Sequence, residues 1–152
     1  MQHQYEHTDH EMIKMEVNLD DIPGEWLGHV MELLLEKGAN DVFYIPIYMK
    51  KNRPGTMLQV LCSEKMAEEL MNIIFQETTT LGVRYYPLSV KRLGRQFTEV
   101  ETPWGSVTVK EGLLNDKVVQ RAPEYSSCKV IADKNHIPLK RVYEEVWKKI
   151  DK

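Results

Sequence analysis

"MIKMEVNLDDIPG", Met12–Gly24, decides how the chain begins to fold. From Met12 to Leu19, Ile13, Met15, Val17 and Leu19 alternate with Met12, Lys14, Glu16 and Asn18. A period of two places one set on a buried face, so the stretch predicts a strand. Asp20, Asp21 and Pro23 follow. An aspartate and then a proline near a first helical turn mark a helix start, because proline loses no hydrogen bond there. Beyond them Leu27, Val30, Met31, Leu34 and Leu35 recur at helical spacing, and Gly38 ends the run.

The pattern continues outward. "DVFYIPIYM", residues 41–49, predicts a second strand. Pro46 within it has no N–H, which places it at a sheet edge or a bulge. A Pro-Gly turn is expected at Pro54 and Gly55, after Lys50, Lys51 and Arg53. "MLQVLC" predicts a third strand, and Ser63 can cap a helix burying Met66, Leu70, Ile73 and Ile74. "VRYYPLSV" predicts the fourth strand. Strand, helix, strand, strand, helix, strand is the split βαβ, or ferredoxin-like, order. The composition shifts at "KRLGRQ". After it come short strands with turns at Pro103–Gly105 and Leu114–Asp116, then two helical stretches, the last starting at Pro138. The class is α+β. The expected division is a flexible tail over 1–11, a ferredoxin-like domain over 12–93 and a small α+β unit over 94–152.

Composition narrows the function. A net charge of −3 lacks the basic footprint of a duplex-binding protein, so nucleic acid is not the expected partner. No apolar run is long enough to span a bilayer and no signal peptide opens the chain, so a cytoplasmic protein without membrane attachment is expected. Cys62 and Cys128 form no CxxC and read as free thiols. No P-loop, GxGxxG, HExxH or nucleophile elbow occurs.

Four groups carry candidate chemistry. Lys50, Lys51 and Arg53 supply donors suited to phosphate or carboxylate oxygens; on residue type alone, a solvated hairpin tip is the plainer reading. Thr78, Thr79 and Thr80 lower helix propensity where they stand, and their hydroxyls, with Arg84, can meet phosphate or ribose or simply bond nearby backbone. Asp20 and Asp21 are hard oxygen donors for magnesium or manganese, or a helix cap. His3, His7 and His10 share one side of a helix if that stretch is helical, and imidazole suits nickel or zinc; a tail is the simpler reading. His29 and His136 read as structural, and Lys110, Arg121 and Glu124 are each weak signals alone.

"NLDDIPGE", "GANDVFYIPIYMKKNRPGTMLQVLC", "IIFQETTTLGVR", "VETPWGSVTVK" and "APEYSSCK", then "IPLKRVY", occur in that order. Together they resemble the C-terminal part of the LarC nickel-insertion family of lactate racemase cofactor maturation, from about Met12 onward. "MKKNRPG" and "ETTTLGVR" are the most specific segments. The resemblance implies that the family's N-terminal region lies outside this chain. It also implies a CTP-dependent nickel insertase, or cyclometallase, a lyase-type metal chelatase. Such an enzyme places nickel in pyridinium-3,5-bisthiocarboxylic acid mononucleotide to make the nickel-pincer nucleotide. CTP goes to CMP and pyrophosphate with manganese or magnesium.

On that footing Lys50, Lys51 and Arg53 are expected on the triphosphate, Thr78, Thr79, Thr80 and Arg84 on phosphate or ribose, and Asp20 and Asp21 on the divalent cation. The basic segment would neutralise the triphosphate and open its α-phosphorus to a substrate carboxylate or thiocarboxylate oxygen, and nickel would bind mainly the substrate's own sulfurs. No residue is singled out as the base. The alternative is a non-catalytic nucleotide-sensing or oligomerisation module, since this fold serves many functions. Pro46 on an edge strand, with exposed methionine and tryptophan, also makes a homo-oligomer expected.

Overall fold

The computed structural model describes residues 5–150. They divide into two compact units: Asp9–Val90, and residues 91–150 together with 5–8. The expected break at 93/94 thus falls a few residues earlier.

The first unit holds β1 (His7–Leu19), α1 (Gly24–Glu36), β2 (Asp41–Met49), β3 (Arg53–Ser63), α2 (Ala67–Glu77) and β4 (Arg84–Arg92). The strand order is β2-β3-β1-β4, with β3 antiparallel to both neighbours. This is the ferredoxin-like order that the alternation of strands and helices predicts. Both edge strands contain a proline, Pro46 and Pro87. Each removes a backbone donor from an edge that another chain could otherwise extend.

Ile13, Met15, Val17 and Leu19 lie on one face of the sheet with Leu58, Val60 and Cys62. Val30 and Leu34 of α1 and Leu70 and Ile74 of α2 close over them, all fully buried. Burial raises the pKa of the Cys62 thiol, which suits a packing role. Tyr44 ties the edge strand to α1 by donating to the Leu27 carbonyl at 2.6 Å, and burial pushes its pKa up to about 12.

Residues 7–11, expected in a tail, open β1 instead. They are polar, so no hydrophobic alternation marks them. Pairing with β3 begins only at Met12, but His10 reaches Ser89 of the neighbouring β4 at 3.1 Å. A strand extended mainly along an edge neighbour needs little apolar surface.

The second unit contains β5 (Gly94–Thr102), β6 (Gly105–Leu114) and β7 (Lys117–Pro123) in sequential antiparallel order, followed by α3 (Tyr125–Asn135) and α4 (Leu139–Ile150). Val107 and Val109 pack against Cys128, Ile131, Val142 and Val146. Asn115 and Asp116 turn the β6–β7 hairpin with φ of 49° and 58°, a conformation these two residue types tolerate. Gly105 has φ of 132°, and a Cβ there would meet Ile131 Cδ1 at 2.9 Å. Gly105→Ala is therefore expected to lower stability by roughly 1–3 kcal/mol in a thermal or denaturant melt.

Candidate functional site

The ferredoxin-like order brings three loops to one end of the sheet: the exit of β1, the β2–β3 connection and the segment between α2 and β4. All the candidate nucleotide and cation residues lie on these loops or on the strand ends beside them.

The basic turn differs from its expected form. Lys50–Asn52 make a short 3-10 turn, and Pro54 and Gly55 already belong to β3. Met49 pairs with Arg53 across the hairpin, which leaves Lys50, Lys51 and Asn52 at its tip. Gly55 is needed for close approach, because a Cβ there would lie 2.8 Å from both the Leu19 carbonyl oxygen and Met49 Sδ.

Lys51 and Asn52 both have left-handed backbones, with φ of 62° and 55°. Lysine gains nothing from this conformation, which costs about 1–2 kcal/mol for an L-residue. Lys51→Gly should therefore leave the melting temperature unchanged or slightly raised, since relief of about 1 kcal/mol offsets glycine's added unfolded-state freedom of about 0.4–1 kcal/mol. A marked loss of stability in the melt would make Lys51 a folding residue.

Lys50 and Lys51 are exposed, and among the described residues neither joins an ion pair. Arg53 Nη1 lies 3.4 Å from Asp20 Oδ2, and Asp20's side chain is only 19% exposed. Asp21 Oδ1 accepts a hydrogen bond from the Thr79 hydroxyl at 2.5 Å. Neither aspartate caps α1, which begins after Pro23 without a side-chain cap. The two aspartates therefore join the exit of β1 to the other two loops.

The threonines divide their work. Thr78 donates to the Ile74 carbonyl at 2.7 Å, and Thr80 donates to the Gly82 carbonyl at 2.9 Å. Both shape the loop through backbone, whereas Thr79 reaches Asp21. Arg84 turns onto the sheet face opposite the helices. There it donates to Asn18 Oδ1 at 2.8 Å and lies 3.8 Å from Glu16. Glu16 also accepts from the Gln59 amide and the Tyr86 hydroxyl, both at 3.1 Å. The Gln59 hydrogen bond is the main cause holding its carboxyl below the usual range, with Tyr86, Lys14 and Arg84 adding to it. This network has no strong sequence signal: Lys14, Glu16 and Asn18 read simply as the polar half of an alternating strand.

Among the described residues no group of three His, Cys, Asp or Glu side chains converges. Asp20 and Asp21 offer two carboxylates, one already facing Arg53. Magnesium is commonly held by one or two carboxylates together with substrate phosphates and water. The residues fit that mode, and they do not form an all-protein cage.

The other candidates fall elsewhere. His3 lies outside the described residues. His7 and His10 are on β1, three apart along a strand rather than along one side of a helix. His136 ends α3 in a left-handed conformation. Lys110 pairs with Glu124 at 2.8 Å, and Arg121 with Glu111 at 2.8 Å. No helix among the described residues is long and apolar enough to cross a membrane.

A family model described as nickel insertion protein matches residues 1–143. The pyridinium-3,5-bisthiocarboxylic acid mononucleotide nickel insertion protein of Thermotoga petrophila is 43% identical over 138 residues, covering 91% of this chain and 35% of that protein. The protein of the same description from Acetivibrio thermocellus is 45% identical over 145 residues, covering 95% and 35%. A solved apo structure of the C-terminal domain of a cyclometallase involved in synthesis of the NPN cofactor of lactate racemase is 41% identical. It aligns with a TM-score of 0.87 over 97% of this chain and 99% of that one. A Methanopyrus kandleri protein of known structure is 27% identical with a TM-score of 0.65, covering 90% and 86%. The chain thus spans about a third of the length of the curated relatives it matches. With the family match running through nearly the whole sequence, the chain belongs to the nickel insertion protein family.

Proposed function

We propose that this chain is the nucleotide-binding C-terminal portion of a CTP-dependent nickel insertase acting on pyridinium-3,5-bisthiocarboxylic acid mononucleotide. The observation that carries the reading is the junction of the exposed Lys50 and Lys51, the Arg53–Asp20 pair and the Asp21–Thr79 contact at one end of the sheet. A triphosphate needs concentrated positive charge nearby, and local field governs its binding more than a net charge of −3 does. Lys50, Lys51 and Arg53 would hold phosphate oxygens. Thr79 would lie beside them, Thr78 and Thr80 would fix the loop's shape, and Arg84 would add charge at the start of β4.

A magnesium or manganese ion bound with CTP would neutralise phosphate charge, and Asp21, with Asp20, would be the residues to hold it. Binding of phosphate by Arg53 would loosen its grip on Asp20. The chain's own work is positioning and charge stabilisation. It would hold the α-phosphorus open to a substrate carboxylate or thiocarboxylate oxygen while pyrophosphate leaves. Nickel is the cargo, taken mainly by the substrate's soft sulfurs. The family's N-terminal region would complete the reaction, and assembly would be homo-oligomeric within the cytoplasm.

The test is calorimetric titration with CTP and manganese, followed by assay for CMP and pyrophosphate when the mononucleotide substrate is added. Binding is expected from this chain. Absence of CTP binding overturns the reading. Binding with no cleavage, even when the N-terminal region is supplied, favours the non-catalytic nucleotide-sensing module.

A further inference from the structure

In the second unit, the sheet of β5, β6 and β7 turns Val100, Val107 and Val109 toward α3 and α4. Its other face carries the alternate residues. There Arg95, Phe97 and Glu99 of β5 stand opposite Gly112, Lys110 and Thr108 of β6. Phe97 is 49% exposed, a phenyl ring in mid-strand on the side away from the core. Leu93 extends the apolar surface: its Cδ1 lies 3.1 Å from where a Cβ on Gly112 would stand, so it fills the space that glycine leaves. Charged groups surround this surface. Lys110, directly across from Phe97, is steered by Glu124 at 2.8 Å and keeps much of its side chain exposed. Arg95 is exposed, two residues from Phe97 on the same side of the strand and therefore about 7 Å away. On the other side of Phe97, Glu99 is occupied by the hydroxyls of Ser106 and Thr108, both at 2.8 Å.

We infer that this face of the second unit holds the pyridinium mononucleotide, with Phe97 under the ring, Lys110 on a ring acid group and Arg95 on the phosphate. The inference rests on that mononucleotide being the substrate, as proposed above. A pyridinium ring is flat and positively charged, so the face of an aromatic side chain attracts it both by stacking and by cation–π interaction. Phe97 offers that face. The acid groups beside the ring are anions, and the Lys110 ammonium donates to them. The single phosphate suits the Arg95 guanidinium, whose planar fork can grip two oxygens at once. Cytosine is uncharged, so it would stack on Phe97 without the cation–π attraction, and a triphosphate would find only the cations Arg95 and Lys110 among these residues. The face therefore suits the mononucleotide better than CTP.

Calorimetric titration with nicotinic acid mononucleotide, a pyridinium carboxylate with one phosphate, tests the site; nicotinamide mononucleotide and CTP are the comparison ligands. The unaltered chain should bind the acid more tightly than the amide. Phe97→Leu should weaken binding of the acid by about 3- to 10-fold, and Phe97→Trp should restore it, with CTP binding unchanged in both. Arg95→Ala should weaken both mononucleotides by about 10-fold or more, and Lys110→Met should erase the preference for the acid. Acid binding that survives both Phe97→Leu and Arg95→Ala overturns the inference. So does a chain that binds CTP but neither mononucleotide. If Phe97→Leu loses CTP to the same degree, the ring supports the fold and the site is wrong. If the unaltered chain fails to bind CTP, yet binds the acid in a way that Phe97→Leu and Arg95→Ala weaken, the CTP reading alone falls and this site stands.

Discussion

Alanine at both Lys51 and Arg53 is expected to lower CTP affinity by about 100-fold or more, since each charge-assisted hydrogen bond contributes about 1.5–3 kcal/mol. Both side chains sit at a hairpin tip or the first residue of β3, and both are exposed. Their loss leaves the core of the unit untouched, so the melting temperature should change little. Removing Arg53 has a second consequence. Asp20, 19% exposed, loses its guanidinium partner. The remaining affinity should then depend less on salt than that of the unaltered protein, because two of the attracting charges are gone. Titration at two ionic strengths checks both statements. Affinity within threefold of the original would remove these two residues from the site.

Arg121→Ala is expected to destabilise the second unit by about 2–4 kcal/mol, because it strands a buried carboxylate. Glu111 is only 6% exposed and receives Arg121 Nε at 2.8 Å and the Gln96 amide at 2.6 Å. Arg121 also reaches the Ile150 carbonyl at 3.3 Å, joining β7 to the end of α4. The Arg121 hydrogen bond, with Gln96 next, holds the Glu111 carboxyl below its usual range. The sign of the pH dependence follows. A carboxylate whose folded pKa is depressed gives its stability above the ordinary glutamate value, and that stability is lost as pH falls through the folded value. The gap between the unaltered protein and Arg121→Ala should therefore be full at neutral pH and close in acid, below about pH 4. Urea melts across that range measure it, and a gap independent of pH would deny Glu111 its ion-pair role.

Much of this arrangement is legible in the sequence because hydrophobic periods carry it. Met15, Val17 and Leu19 alternate, and Val30 and Leu34 recur at helical spacing; all five are buried. Pro46 correctly marks an edge strand. Patterns fail where geometry depends on pairing. Residues 7–11 lack an apolar face, yet they extend β1 beside β4. Pro54 and Gly55 have the composition of a turn, but the close passage of Leu19 requires the glycine inside β3. The site divides in the same way. Lys50, Lys51 and Arg53 stand out as a charge cluster. The link between Asp21 and Thr79 spans 58 positions and exists only once the sheet order brings their loops together.

A crystal structure of the chain with CTP and manganese is the most direct measurement of where the phosphates go. The expected result is triphosphate oxygens about 3 Å from Lys51 Nζ and the Arg53 guanidinium, with manganese on the Asp21 carboxylate. A triphosphate bound anywhere else, with the Lys50–Asn52 turn facing only solvent, would contradict the proposed site.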